Sequence, residues 1–284
     1  MRRTILSVVF ALTSTALGID QPASIIPETV VVPNGQLHLK AFLWKPAGPG
    51  PFPAVLFCHG SGGADADHTA GLPITEAAAK LAPLFLKHEY PFLYLFRRGH
   101  GLSADQGAFM QDILKREEAT KGKEARQHLQ FVLVTTDHLD DVMAALACLT
   151  AARAINAKRI AIVGHSFGGQ LTLLAAERDN SVRAAVTFAA AAGSWERSLE
   201  LRERLRSTVD GTTVPTMLIQ AANDYSTAPS RELADEFRSL RKSYVLKIYP
   251  PVGRTAEDGH NFLYLAIPQW EDNVFGFLGE HVKR

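Results

Sequence analysis

The sequence predicts an α/β fold: a mostly parallel central sheet with helices on both faces and an antiparallel hairpin at its N-terminal edge. Three observations predict it. Short apolar runs alternate with stretches of helical period from residue 54 to the C-terminus. The internal runs, such as Phe92–Phe96 and residues 160–163, lack a clean polar alternation, as strands covered on both faces do. Two β-prone runs, residues 29–32 and Leu37–Trp44, flank Pro33-Asn34-Gly35, and Asn-Gly between such runs marks a hairpin.

The 284 residues, 46% of them hydrophobic, are enough for one large core. A formal charge of +1 supplies no bulk field toward nucleic acid or an acidic membrane. The chain opens on Met1-Arg2-Arg3, continues through an apolar stretch (residues 4–17) too short to span a bilayer, and reaches small residues at Ala16 and Gly18. This three-part pattern predicts a signal peptide over residues 1–18, export to the periplasm or medium, and a single domain over 19–284.

The elements follow in order. A Pro/Gly-rich loop (46–53) leads into a strand (54–58), which ends at His59-Gly60-Ser61-Gly62-Gly63. A helix (75–88) precedes the strand Phe92–Phe96, which ends at Arg97-Arg98-Gly99-His100-Gly101. That turn reads as structural, with Arg97 or Arg98 lining a pocket as the alternative. Residues 103–130 are polar, weakly helical and without a strand signal, so they read as a surface insertion that could cover the strand ends. Then come a helix (135–154), a strand (160–163), a helix after Ser166, a strand (182–189) and a charged helix (195–207). A strand (216–220), a helix (230–241), the strand Tyr244–Tyr249 and a last helix (267–282) complete the chain.

Cys58 and Cys148 fall in apolar runs and read as two buried free thiols in preference to a disulfide. No His-Glu-x-x-His, no Cys/His metal spacing and no phosphate-loop motif is present, which disfavours a metal hydrolase and a nucleotide enzyme.

In a parallel sheet, ligands bind at the carboxyl ends of the strands. Four predicted strand ends carry chemistry: the glycine loop 59–63, Gly164-His165-Ser166-Phe167-Gly168-Gly169, Asn223-Asp224, and Asp258-Gly259-His260. A serine on a sharp strand-to-helix turn exposes its hydroxyl, and glycines two residues either side leave room for the chain. Ser166 with Gly164 and Gly168 fits that arrangement. A serine needs a base. Of the ten histidines, His260 follows the last strand, whereas His165, adjacent to Ser166, should point away. Asp224 is the candidate that orients His260; Asp258, two residues from it, reads as a loop former. The backbone N–H groups of Phe167 and Ser61 are the candidate oxyanion donors.

On these residues the chain resembles the α/β-hydrolases from about Val30 to the C-terminus. The short link between Ala189 and Thr216 leaves no room for a large lid there, and in this it is similar to the dienelactone hydrolase-like and S9-peptidase-like branch. Ser166 stands where true dienelactone hydrolases carry cysteine, so the resemblance does not carry dienelactone over as the substrate. It implies a cofactor-free serine hydrolase. The reading is a hydrolase of small carboxylic esters acting through Ser166, Asp224 and His260. Peptidase or acyltransferase chemistry on the same residues, and a non-catalytic binding protein, are the alternatives. Neither nucleic acid nor a membrane span is expected, and the oligomeric state is left open.

Overall fold

The structure, a computed structural model, describes residues 26–62, 68–69 and 71–283. The expected signal peptide and Gly63 lie outside the described residues. Among the described residues the main sheet has eight strands: β1 (Glu28–Asn34), β2 (Leu37–Trp44), β3 (Phe52–Cys58), β4 (Phe92–Phe96), β5 (Ile155–His165), β6 (Ala184–Phe188), β7 (Thr216–Ala221) and β8 (Tyr244–Tyr249). Their spatial order is β1-β2-β4-β3-β5-β6-β7-β8. The hairpin β1–β2 and its junction with β4 are antiparallel, and every other pairing is parallel.

The uninterrupted apolar strands follow from burial on both faces. Along β3, Ala54, Leu56 and Cys58 enter one core, while Val55 and Phe57 enter the other. Along β5, Ile160 and Ile162 face the first core, and Ala161 and Val163 the second. Alternate side chains of a strand point to opposite faces, so a strand with a core on each side carries no polar alternation. The helices α1 (Ile74–Lys87), α2 (Met110–Lys121), α3 (Lys123–Thr135), α4 (Asp137–Ala151), α5 (Phe167–Arg178), α6 (Leu199–Gly211) and α7 (Ala228–Ser239) accompany the sheet. Two short helices, α8 (Ala256–His260) and α9 (Phe262–Leu265), lead to α10 (Ile267–Leu278). Buried apolar side chains of α4 and α5 belong to the first core, and those of α1 and α10 to the second.

Four expectations shift. β5 begins at Ile155, not 160, because buried Ile155 already pairs with Phe52 of β3; the exposed polar residues that follow it hid this start. The charged helix begins at Leu199, not 195: Ser198 accepts a hydrogen bond from the Leu201 N–H and caps it, while Trp195 is buried in the preceding turn. The helix expected from 135 begins at Asp137, since α3 runs on to Thr135. The segment 103–130 is more regular than its weak helical pattern suggests. After a 3-10 turn (Gly101–Gln106) it forms α2 and most of α3, broken at Gly122 and anchored by buried Met110 and Leu114.

Candidate active site

The carboxyl ends of β3, β4, β5 and β7 and the segment after β8 meet at one edge. Ser166 sits between β5 and α5 with φ 55° and ψ −117°, a strained backbone for a residue with a Cβ. Its N–H donates to the Phe188 carbonyl of β6 at 2.8 Å, which holds the turn. The flanking glycines are required by packing. A Cβ on Gly164 would lie 2.2 Å from the Gly168 carbonyl oxygen, and one on Gly168 would lie 1.9 Å from the Cys58 carbonyl oxygen. The turn is therefore wedged between β3 and α5, and the Ser166 hydroxyl is left at the N-terminal, electropositive end of α5.

The Ser166 hydroxyl donates to Nε2 of His260 at 2.8 Å, and Nδ1–H of His260 donates to Oδ1 of Asp224 at 2.8 Å. Asp224 lies in the turn after β7, with its carboxylate fully buried. It accepts two further bonds, from the Tyr225 N–H at 2.7 Å and from Gln220 Nε2 at 3.0 Å. These leave the carboxylate one orientation and fix His260 in the Nδ1–H tautomer, with Nε2 free to accept from serine. His260 ends α8 rather than standing in an open loop. Asp258 caps that same helix: its Oδ2 accepts from the N–H groups of Arg254 and Thr255, and the first of these is the main reason its carboxyl stays below the usual range.

His165 turns away from the serine hydroxyl and donates Nε2–H to the backbone carbonyl of His260 at 2.8 Å. Burial, with His260 beside it, pushes its imidazole down to about 3, so it stays neutral. This contact joins positions 95 apart in the chain, and no local pattern in the sequence marks it. Tyr225 adds a ring 4.9 Å from that of His260.

Gly60, Ser61 and Phe167 line the same cleft as Ser166 and His260, a cavity of about 400 Å³. The Phe167 N–H is the first of α5 and has no intrahelical partner. His59 is buried and stacked on Tyr94, and its Nδ1–H donates to the Gly60 carbonyl at 2.7 Å. Neither Arg97 nor Arg98 lines the cleft. Arg98 is paired with Asp137 and buried Asp141 on α4. The hairpin α2–α3 supplies Gln111, Arg126 and Gln130 to one wall; Arg197, Tyr225 and Glu257 stand on others. The wall is thus polar, and three of its residues come from the segment whose sequence has no strong period. Both cysteines are free; Cys58 is buried and its thiol is pushed up to about 12 by burial, whereas Cys148 is only half-buried. Among the described residues no cluster of three His, Cys, Asp or Glu side chains could hold a metal ion, and no helix is long and apolar enough to cross a membrane.

The strand order, the strained serine turn and the polar cleft at the strand ends define an α/β-hydrolase. The chain belongs to the dienelactone hydrolase family, whose sequence profile matches residues 103–263. Solved structures of the same fold include an acylaminoacyl peptidase from Pyrococcus horikoshii, with a TM-score of 0.66 and 16% identity over 93% of this chain. A puromycin-hydrolyzing peptidase from Mycobacterium tuberculosis matches with a TM-score of 0.63 and 17% identity over 90% of this chain. A dienelactone hydrolase from Anabaena variabilis matches with a TM-score of 0.62 and 16% identity, over 92% of this chain and 100% of its own. This chain spans 43% of the length of the first peptidase and 39% of the second. No curated protein matches the sequence.

Proposed function

We propose that the protein is a serine hydrolase of small, polar carboxylic esters. The observation that carries this reading is the chain of two 2.8 Å hydrogen bonds from Ser166 through His260 to Asp224, opening into a polar cleft. His260 Nε2 takes the Ser166 proton as the oxygen attacks the ester carbonyl. The N–H groups of Phe167 and Ser61 receive the developing oxyanion. Asp224 stabilises the imidazolium, which then protonates the departing alcohol. Water, deprotonated by the same histidine, releases the acid and restores Ser166.

The polar wall supports a hydrophilic substrate, since a long alkyl chain would strip water from Gln111, Arg126, Gln130 and Arg197 without offering them a hydrogen bond. Amide hydrolysis on the same residues is the second reading, favoured by the two peptidases of like fold. Turnover of p-nitrophenyl acetate, longer p-nitrophenyl esters and a peptide p-nitroanilide separates the two. Wild-type protein should prefer the acetate, and Ser166→Ala should reduce its turnover to background while the melting curve is retained. Intact acetate turnover in that variant overturns the reading. Failure of a fluorophosphonate to label Ser166 in the folded protein would instead make the chain a binding protein on a hydrolase scaffold.

A further inference from the structure

The turn after β4 begins with two arginines of different fates. Arg98 reaches out to α4, whereas Arg97 turns inward and is fully buried. Arg97 has no carboxylate partner within ion-pair distance among the described residues. Its terminal nitrogens instead donate to two backbone carbonyls of the loop after β3, His59 O at 2.6 Å and Gly60 O at 2.8 Å. Its guanidinium carbon also lies 5.1 Å from the centre of the Phe167 ring. One buried cation thus touches both the loop that carries the Ser61 N–H and the residue that carries the other proposed oxyanion donor.

Peptide geometry gives these contacts a direction. A trans peptide is planar, with its C=O and N–H pointing opposite ways. Gly60 O and Ser61 N–H belong to one peptide. Drawing Gly60 O onto Arg97 turns the Ser61 N–H away from the arginine, toward the side where Ser61 and Ser166 line a common cleft. The His59–Gly60 peptide is held in the same sense, and the loop passes so near that a Cβ on Gly60 would lie 3.5 Å from Ser166 Cβ. A cation bonded to a carbonyl oxygen also polarises that amide and makes its N–H a stronger donor.

We infer that Arg97 is the positioning residue of the oxyanion site, aiming and polarising the Ser61 N–H from behind; this rests on the serine hydrolase reading above. The surroundings keep the charge in place. Burial lowers Arg97 only to about 10, so it remains a cation at neutral pH. His59, His100 and His138 stand around it, each held below the ordinary histidine range first by burial and then by Arg97 itself. Three neutral imidazoles and one cation therefore form the layer behind the loop, and His100 Nε2 approaches Ser61 O at 3.2 Å.

The test is the rate at which a fluorophosphonate labels Ser166 in the full-length folded protein, which needs no knowledge of the natural substrate. Arg97→Lys keeps the charge but not the two-carbonyl fork; Arg97→Met keeps the apolar stem alone. Labelling should slow about 10-fold in the lysine variant and about 100-fold in the methionine variant, the lower range for a lost oxyanion donor. For p-nitrophenyl acetate, kcat should fall in the same order while KM and the pH midpoint of kcat/KM stay put, which a merely structural role would not produce. Folded variants that label within about threefold of wild type overturn the inference, and so does failure of both to fold, which would make Arg97 a folding residue alone. If wild-type Ser166 is not labelled at all, the serine hydrolase reading falls first; if it is labelled and Arg97 is neutral, only this inference falls.

Discussion

Ser166 shows how packing can hold a single residue in a strained conformation. Its left-handed backbone would relax in a looser turn, yet β3, β6 and α5 hold it from three sides. Asp224 is equally confined, by His260, the Tyr225 N–H and Gln220. An asparagine there would present an NH₂ group to His260 Nδ1 or force the other tautomer, leaving Nε2 unable to accept from serine. Asp224→Asn should therefore lower kcat by about 10⁴-fold with little change in KM. Steady-state kinetics on p-nitrophenyl acetate checks this, with a near-wild-type melting curve as the control. His165 acts one step removed. Replacing it with leucine takes away the donor to His260 O, and a lowered kcat at unchanged KM would register the loosened imidazole.

At the scale of elements, the β5–α5 junction tolerates no added volume. Gly168→Ala would drive a methyl into the Cys58 carbonyl of β3 and should cost at least about 3 kcal/mol of stability, the upper range for overpacking. Gly276 in α10 meets nothing within 4 Å, so Gly276→Ala should raise stability by about 0.5–1 kcal/mol through helix propensity. Urea unfolding of the pair tests both signs in one experiment. The α2–α3 hairpin lines the cleft with Gln111, Arg126 and Gln130. Arg126 pairs with Glu118 at 3.1 Å and still lines the cleft. Arg126→Ala should raise KM for a polar ester about 3- to 10-fold, the worth of one hydrogen bond, with kcat nearly unchanged.

Across the whole molecule, four buried neutral histidines make stability depend on pH. Burial is the first cause in each: His100 is lowered from 6.5 to about 4 and His165 to about 3, and His59 and His138 are also held down. Between the unfolded value near 6.5 and these folded values, the unfolded chain binds protons that the native chain refuses. Stability rises with pH wherever the unfolded state binds more protons. It should therefore be complete above about pH 7 and fall steadily as pH drops through 6.5 toward 4. The upper part of that window lies above ordinary carboxylate titration, which isolates the histidines. A urea midpoint that stays flat between pH 7 and 5 would contradict burial of these groups in neutral form.

Much of this was legible in the chain itself. Asn34-Gly35 marked the hairpin, although the turn residues are Gly35 and Gln36: Asn34 closes β1 opposite Leu37, and Gly35 takes the positive φ of 59°. The strand run 54–58 was visible because two cores demand apolar residues on both faces. Ser166, Asp224 and His260 could be chosen because each follows a strand, and parallel strands deliver their ends to one edge. Other features left no local trace. The polar start of β5 and the true start of α6 depend on what packs against them, as does the lining of the cleft by Gln111, Arg126 and Gln130. Arg97 and His165 are ordinary residues in sequence; only the fold brings one behind the loop after β3 and the other under the His260 carbonyl. The sequence by itself determined the strand ends and the residue types they carry, because hydrophobic period and turn chemistry are local. The tertiary structure alone decided which backbone groups those residues hold, because such hydrogen bonds join positions that only long-range packing brings within reach.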